Sequence, residues 1–180
     1  LDLSEGMWAY ALFDKSNGSL TLGRDRFGEK PLYYYLDNDG IYFGSEIKFI
    51  FTLLGKALAI NFNQVNRYLV NGYKSLYKQK DTFFEGIQEV PPSTFLEISR
   101  NLHVREKKYW NPEFSFNQEL TYQEAVEGVR NKLLQAMEIR LRADVPLAFC
   151  MSGGIDSLSL ISIAKRVFDY DVHGFTIVDN

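Results

Sequence analysis

The chain has a single cysteine, two histidines and no long hydrophobic run. One cysteine, Cys150, excludes an intramolecular disulfide and any cysteine-based zinc cluster. His103 and His173 lie 70 positions apart, so we expect isolated surface or loop residues rather than a metal site. No segment reaches the ~18 consecutive apolar residues that a membrane-spanning helix needs, and no secretion signal opens the sequence. We therefore expect a soluble, cytoplasmic protein without membrane partners.

Basic residues are not in excess either, with 20 Lys and Arg against 23 Asp and Glu and a net charge of −3. Without a dense run of Lys or Arg, the chain lacks the charge pattern of a nucleic-acid-binding protein. It is 46% hydrophobic and 15% aromatic, which is a globular composition. Its 180 residues correspond to about one large domain or two partial ones. Because it begins at Leu1 and stops at Asn180 just after an apolar run, we expect a longer parent protein.

Residues 1–110 have the pattern of a protein built on antiparallel sheets. Short apolar or aromatic runs alternate with Asn-Gly and Asp-Gly turns, which is typical of strands joined by hairpins. Two helices are predicted, around residues 47–54 and 64–70, and a further strand pair is predicted across Arg100-Asn101. Residues 111–120 turn polar, and we predict a linker there.

Residues 121–180 have a different pattern, that of an α/β domain. Thr121 and Glu124 have the spacing of a capping box, and apolar residues at intervals of three and four predict a helix of about 20 residues ending at Pro146. The continuous apolar run that follows indicates a strand buried on both faces in a parallel sheet. A second helical pattern and a final apolar run complete a strand-helix-strand unit.

The first strand of this unit is joined to its helix by the sequence SGGIDS. Its polar residues and glycines are Ser152, Gly153, Gly154, Asp156 and Ser157. In a parallel sheet the ligand site lies beyond the carboxyl ends of the strands, where a helix N-terminus offers unpaired backbone N–H groups. Glycines let the backbone approach a phosphate and serine hydroxyls add donors, although a glycine pair here is also compatible with a simple tight turn. Neither GxxxxGK[ST] nor GxGxxG is present.

SGGIDS resembles the PP-loop of the ATP pyrophosphatase family, whose members cleave ATP between the α and β phosphates. The resemblance implies that the two serines and two glycines of the loop hold pyrophosphate. It further implies that Asp156 is the carboxylate on the side of the Mg²⁺ ion. A hard cation such as Mg²⁺ prefers carboxylate and phosphate oxygens, which agrees with that assignment.

Motifs upstream of the loop indicate which of the families with such a loop this chain resembles. The segments GMWAYALFD, GRDRFGEKPLYYY, FGSEIKFI, FFEGIQEVPPSTFLEI and RLRADVPLAFCMSGGIDS occur in this order and resemble glutamine-hydrolysing asparagine synthetase. The resemblance implies an α+β part with antiparallel sheets in the α/β/β/α layers of an N-terminal-nucleophile hydrolase. An α/β PP-loop domain with a parallel sheet, like that of the adenine nucleotide α-hydrolases, is expected to follow it.

We expect both domains to be incomplete. Residues 1–110 would be the C-terminal portion of a class II glutamine amidotransferase domain, residues 111–120 a linker, and residues 121–180 the N-terminal portion of the synthetase domain. The N-terminal cysteine nucleophile of the family's glutaminase is absent from this sequence. We therefore expect residues 1–180 alone neither to hydrolyse glutamine nor to form an amide.

In that family, ammonia from glutamine attacks an adenylated carboxylate. The resemblance thus implies ATP and Mg²⁺ as cofactors, and glutamine together with aspartate or a related carboxylate as substrates. Alternatives are amidation of a sugar or peptide carboxylate, and a β-lactam-synthetase-like relative without glutaminase activity. A PP-loop tRNA-modifying enzyme would need a basic face or a cysteine pair, which the pI of about 5.5 and the single cysteine disfavour. The sequence leaves the oligomeric state open, a homo-oligomer included.

Three residues near the loop have both a functional and a structural interpretation. Cys150 and Met151 lie where the family contacts ATP, and Ile177 aligns with an adenine contact, but core packing explains each of them as well. A nucleophilic role for Cys150 is disfavoured, because we expect a buried thiol and no histidine is near in sequence.

Charged residues of the first part are interpreted structurally. Residues 24–30, RDRFGEK, predict a charge-paired turn that fixes the sheet, and the alternative is that they line a glutamine pocket or an ammonia route. Glu46 and Lys48 are interpreted as helix-capping residues rather than substrate ligands.

Overall fold

The computed structural model describes residues 4–116 and 119–178. The chain divides into two compact units, with the division between Glu113 and Phe114. Residues 111–116 of the predicted linker have no regular secondary structure. Residues 117–118 of the linker lie outside the described residues. The same holds for residues 1–3 of the first predicted domain and 179–180 of the second. Within the described stretches, none of the helices has the length and apolarity to span a bilayer.

The first unit contains two antiparallel sheets. In chain order its strands are β1 (Ala9–Asp14), β2 (Ser19–Arg24), β3 (Tyr33–Leu36), β4 (Ile41–Gly44), β5 (Ile87–Glu89), β6 (Thr94–Ile98) and β7 (Val104–Lys108). One sheet has the strand order β1-β2-β6-β7 and the other has the order β4-β3-β5. Every neighbouring pair runs antiparallel, as the alternating sequence pattern predicts.

Tight turns join three of the strand pairs. Gly18 has φ +72° and its N–H donates to the Asp14 carbonyl at 2.8 Å, so the Asn-Gly pair supplies the left-handed residue that closes β1 onto β2. In the β3–β4 turn, the N–H of Asp37 donates to the carbonyl of Gly40 at 3.1 Å. Leu102, with φ +59°, takes the left-handed position between β6 and β7. The predicted hairpins and the pair across residues 100–101 are confirmed.

The core of this unit is formed by apolar side chains of both sheets. Leu22 lies opposite Leu96 in the pairing of β2 with β6, and Leu20 lies opposite Ile98, so these two strands present apolar side chains on the same face. The buried members of the cluster are Leu22, Leu32, Tyr34, Val90, Leu96 and Ile98. Full burial of a side chain of this size contributes about 1.5–3 kcal/mol. The sheets thereby give the first unit a core of its own.

Two α-helices and a short 3-10 helix accompany the sheets. Helix α1 (Ile47–Leu54) has the predicted bounds and packs against β4 and β3. Helix α2 (Phe62–Asn71) begins two residues earlier than predicted, because Asn61 caps it by accepting from the N–H of Gln64. The sequence reasoning missed the 3-10 helix (Tyr73–Lys78) and strand β5.

The expected capping role of the SEIK residues is wrong. Glu46 occupies the N-cap position of α1, but its side chain makes no capping hydrogen bond. Its carboxylate instead pairs with the Lys48 ammonium at 2.6 Å on the exposed surface. An acidic side chain as long as that of Glu reaches past the first-turn N–H groups, which short Ser, Thr, Asp or Asn side chains satisfy more readily.

In the second unit the first element is helix α3 (Tyr122–Arg140). The predicted capping box is confirmed: Thr121 Oγ1 accepts from the N–H of Glu124 at 3.3 Å, and Glu124 Oε2 accepts from the N–H of Thr121 at 2.9 Å. The prediction that the helix extends to Pro146 is wrong, because it ends at Arg140. Val145 continues the apolar spacing four residues after Leu141, but it is 67% exposed, so the spacing alone does not extend the helix.

The strand-helix-strand unit is confirmed, with elements β8 (Ala148–Cys150), α4 (Ile155–Arg166) and β9 (His173–Phe175). Strands β8 and β9 pair in parallel, with Ala148 opposite His173 and Cys150 opposite Phe175. The expectation that β8 is buried on both faces is wrong, since Ala148 and Cys150 are exposed and Phe149 is half-buried. Among residues 119–178, only β9 pairs with β8, and α4 covers one of its faces.

Candidate functional site

The segment between β8 and α4 lies at the carboxyl end of β8. The N–H of Met151 donates to the carbonyl of Phe175 at 2.7 Å, so the pairing with β9 continues for one residue beyond Cys150. The chain then leaves the sheet at Ser152 and enters α4 at Ile155. The loop is therefore fixed at both of its ends, by a sheet hydrogen bond and by a helix.

Two glycines form the middle of this loop, and they differ in what they require. Gly153 has φ +77°, a left-handed conformation that residues with a Cβ rarely adopt. Gly154 occupies the N-cap of α4 in an extended conformation, with φ −80° and ψ 157°. A Cβ at Gly153 would meet no atom within 4 Å, so the space above it is open. The backbone is accordingly open to a ligand at this point.

The two serines of the loop are hydrogen-bonded to each other. Ser157 Oγ donates to the carbonyl of Gly154 at 3.0 Å, and the two hydroxyl oxygens of Ser152 and Ser157 are 3.1 Å apart. The N–H of Gly154 lies 3.4 Å from Ser152 Oγ, a long contact. These hydroxyls connect the loop to the first turn of α4, and rotation about their side-chain bonds would let them donate to an anion.

The N-terminus of α4 completes the donor set. No described side chain caps this helix, and Asp156 is the acidic residue of its first turn. The first N–H groups of a helix have no intrahelical acceptor and carry positive partial charge. Open backbone at a glycine, two hydroxyls and uncapped helix N–H groups are donors that fit a phosphate or pyrophosphate group.

Comparisons with known proteins identify the family of both parts of the chain. Residues 1–110 match the family model of a glutamine amidotransferase domain, and residues 128–178 match that of asparagine synthase. The chain belongs to the glutamine-hydrolysing asparagine synthetase family. The resemblance to this family that the ordered motifs indicate is thereby confirmed.

Individual relatives are similar over most of this chain. It is 32% identical to the putative glutamine-hydrolysing asparagine synthetase 2 of Methanocaldococcus jannaschii, over 96% of the chain and 33% of the relative. It is 31% identical to the glutamine-hydrolysing asparagine synthetase 2 of Bacillus subtilis, over 96% of the chain and 24% of the relative. The amidase chry2 of Gibberella zeae is 33% identical, over 90% and 24%. The chain spans a quarter to a third of the length of these curated relatives.

The remaining residues predicted for the site lie at the same edge of the β8–β9 sheet. Cys150 ends β8 with an exposed thiol, so the expectation that this side chain is buried is wrong. Met151 is half-buried and follows it directly. Ile177 lies two residues past the end of β9 and is 98% exposed, which rules out core packing within the described chain. The structure brings the loop and Ile177 to one edge because parallel strands end together.

At this loop, Asp156 is the one carboxylate predicted to bind a metal ion. Among the described residues no three His, Cys, Asp or Glu side chains are grouped so that they could hold a metal ion. Mg²⁺ is commonly bound by one or two protein carboxylates, with water and substrate phosphates supplying the other ligands. Asp156, in the first turn of α4 beside the serine hydroxyls, fits that mode of binding.

In the first unit, the carboxylate of Asp25 organises residues 24–30. Asp25 is 1% exposed and accepts four backbone hydrogen bonds. Its oxygens accept from the N–H groups of Phe27 at 3.1 Å, Glu29 at 3.0 Å, Lys30 at 3.0 Å and Trp8 at 3.3 Å. Burial opposes ionisation of this carboxyl, but the four donors outweigh it and hold its pKa below the ordinary value.

The guanidinium of Arg24 fixes the same turn from the other side. Arg24 is 6% exposed, and it donates to the carbonyls of Lys30 at 2.7 Å, Val90 at 2.8 Å and Gly28. It also pairs with the Glu89 carboxylate at 2.7 Å. These contacts make residues 24–30 the charge-paired turn that the sequence predicted. The turn ties β2 to the segment around β5.

The alternative role of residues 24–30, in a glutamine pocket or an ammonia route, stays a prediction. Arg24, Phe27 and Gly28 border a cavity of about 470 Å³, together with Lys80 and Glu106 from other segments. The sequence offered no signal for this cavity, because its walls come from residues more than 50 positions apart.

Proposed function

We propose that this chain is part of an ATP-dependent, amide-forming ligase that uses glutamine as its source of ammonia, and that residues 152–157 bind the pyrophosphate portion of MgATP. The observation that carries the proposal is the loop itself. Gly153 is left-handed with open space above it, two serine hydroxyls flank it, and an uncapped helix N-terminus follows. Family membership supports the glutamine-dependent part.

Bound MgATP would supply an adenylyl group that activates a carboxylate for attack by ammonia, with pyrophosphate and then AMP as the leaving groups. Ser152 and Ser157 would donate to pyrophosphate oxygens, together with the first N–H groups of α4. Asp156 would hold Mg²⁺. Donors fixed in advance by a helix and a sheet need little reorganisation as charge builds up on the departing group, which is where such contacts are most effective.

The edge of the sheet would bind the rest of the nucleotide. Cys150, Met151 and Ile177 lie at the ends of the two parallel strands, on the side from which the loop emerges. The exposed Ile177 and the half-buried Met151 offer apolar surface of the kind against which an adenine ring packs. Their assignment follows the family resemblance.

Aspartate is the acceptor that we propose, which makes asparagine the product. A sugar or peptide carboxylate, or an intramolecular ring closure without glutaminase activity, is the alternative within the same family. No residue of this chain is assigned to the hydrolysis of glutamine.

Pyrophosphate release by the whole protein tests the proposal, with aspartate, other carboxylates and glutamine or ammonium varied in turn. We expect release that depends on MgATP and on aspartate. Ser157→Ala should reduce it about tenfold or more, since a hydrogen bond to a charged group contributes ~1.5–3 kcal/mol. Ser162→Ala, an exposed serine further along α4, is the matched control and should change little. Release of γ-phosphate instead of pyrophosphate would contradict the proposal, and dependence on another carboxylate would replace aspartate as acceptor.

A further inference from the structure

Gly174, in the middle of β9, is in contact with the start of the loop. A Cβ built on Gly174 would lie 2.4 Å from Met151 Sδ and 3.3 Å from Met151 Cγ, and the first of these is far inside any non-bonded contact. Its φ is not in the left-handed region, so the backbone at Gly174 would accept any residue. The place of a side chain at Gly174 is thus filled by Met151, whereas at Gly153 the backbone conformation is what favours glycine.

The strand register explains this contact. Phe149 pairs with Gly174, and Cys150 pairs with Phe175. Side chains alternate along a strand, so Phe149 and Met151 share the face on which Gly174 lies. The thioether of Met151 therefore lies across β9 at the one position where that strand has no side chain. The N–H of Met151 is held at the same place by the carbonyl of Phe175, at 2.7 Å.

We propose that Gly174 is a positioning residue for the anion-binding loop. The missing side chain lets Met151 lie flat on β9, and this packing, together with the hydrogen bond to Phe175, fixes the point from which Ser152 leaves the sheet. The nature of the bound anion rests on the function proposed above. The positioning itself rests on the contact between Met151 and Gly174.

An alanine at position 174 forces one of two adjustments. The flexible thioether can swing away from β9, which removes the packing that holds the residue before Ser152. Alternatively, the strands can separate by a fraction of an ångström, which lengthens the hydrogen bond between Met151 and Phe175. Either adjustment shifts the loop relative to α4.

A double-mutant cycle with Gly174→Ala, Met151→Ala and the double variant tests this inference in the whole protein. We expect Gly174→Ala to weaken MgATP binding about tenfold by titration calorimetry, since small displacements of a positioning group cost up to ~100-fold. The same change should be small when Met151 is already alanine, because the clash is gone. Gly128→Ala, at a helical glycine with no atom within 4 Å of the added Cβ, is the matched control.

Hydrogen exchange of the amides of residues 151–158, measured without nucleotide, gives a second result that does not depend on ATP. Exchange should be faster in Gly174→Ala and return to the level of Met151→Ala in the double variant. Additive effects in both measurements, or an unchanged loop in Gly174→Ala, would overturn the inference. A parent protein that binds no MgATP would refute the proposed function, while the exchange cycle would still decide the role of Gly174.

Discussion

The turn at residues 24–30 and the loop at residues 152–157 both place glycine, aspartate and polar neighbours directly after a strand, and they use them in opposite ways. Asp25 is buried and accepts four backbone N–H groups of its own turn and of the preceding strand region. Asp156 is exposed, and the structure records no hydrogen bond or ion pair for it among the described residues. A turn that satisfies its own donors is a structural element, and a loop followed by a helix N-terminus without a side-chain cap has capacity for a ligand.

Replacing each aspartate by asparagine should give the largest difference between the turn and the loop. In Asp25→Asn, two of the four backbone N–H groups would face an amide NH₂ instead of an acceptor. Each buried donor left without a partner costs ~1–3 kcal/mol, so we expect the free energy of unfolding to fall by about 2–5 kcal/mol. Asp156→Asn is the control and should change it by less than ~0.5 kcal/mol. Urea unfolding followed by circular dichroism, which reports on both units, checks this, and equal effects of the two substitutions would contradict it.

Glycine substitutions test the backbone conformation of the loop. Gly153→Ala puts a Cβ on a left-handed residue, which costs about 1–2 kcal/mol of strain although no atom lies within 4 Å. We expect the loop to leave this conformation and MgATP affinity to fall about tenfold, which corresponds to ~1.4 kcal/mol. Gly40→Ala adds a Cβ to an equally open turn without a left-handed φ and should leave affinity unchanged. An alanine at 153 that binds as tightly as glycine would remove the conformational argument.

Acid pH tests the contribution of the Asp25 carboxylate to stability. The folded-state pKa of Asp25 lies below its unfolded value of about 3.9, so its contribution to stability is complete above that value and is lost as the pH falls through and below it. Asp25→Asn should therefore flatten the fall in stability that occurs as the pH is lowered below about 4. Asp14 and Glu124, whose pKa values are lowered chiefly by hydrogen bonds from Ser16 and Thr121, are expected to contribute to the slope that remains. An undiminished slope in the variant would contradict this.

The smallest expected effect concerns α3, the exposed helix that precedes the loop strand. Glu124→Ala removes one half of the capping box, with an expected cost of about 0.5–1 kcal/mol in the stability of the second unit. Glu127→Ala, on the same helix beyond the box, is the matched control. If the two variants melted at the same temperature, the capping box would add nothing to the stability of α3.

Local signals allowed much of the fold to be predicted. The hairpin glycines, helix α1 and the capping box of Thr121 and Glu124 each depend on residues close together in sequence. Strand β5 has only three residues and exists because it pairs with β3, more than 50 positions earlier. The exposure of Cys150 and the early end of α3 likewise depend on what packs nearby, which no short window of sequence records.

The candidate site, too, could be predicted from the sequence only in part. SGGIDS could be placed on a strand-to-helix junction from its neighbours alone, and the structure has it there. The contact between Met151 and Gly174 could not be predicted, because it depends on the register of two strands separated by a helix. A glycine in the middle of a strand was the available signal, since such glycines often mark a close approach by another group.

Measuring both half-reactions of the Asp156→Asn variant tests most directly whether residues 152–157 bind the pyrophosphate of MgATP. Pyrophosphate release at saturating MgATP should be measured beside glutamine hydrolysis and melting temperature in one preparation of the whole protein. Loss of one electrostatic contact at a developing charge costs about 10²–10³ in rate, so we expect that fall in pyrophosphate release with glutamine hydrolysis and melting temperature near wild type. If Asp156 only stabilises the first turn of α4, the variant would instead melt lower, by about 1 kcal/mol or less of stability, and release pyrophosphate normally. That second result would contradict the claim and reduce the loop to a structural turn.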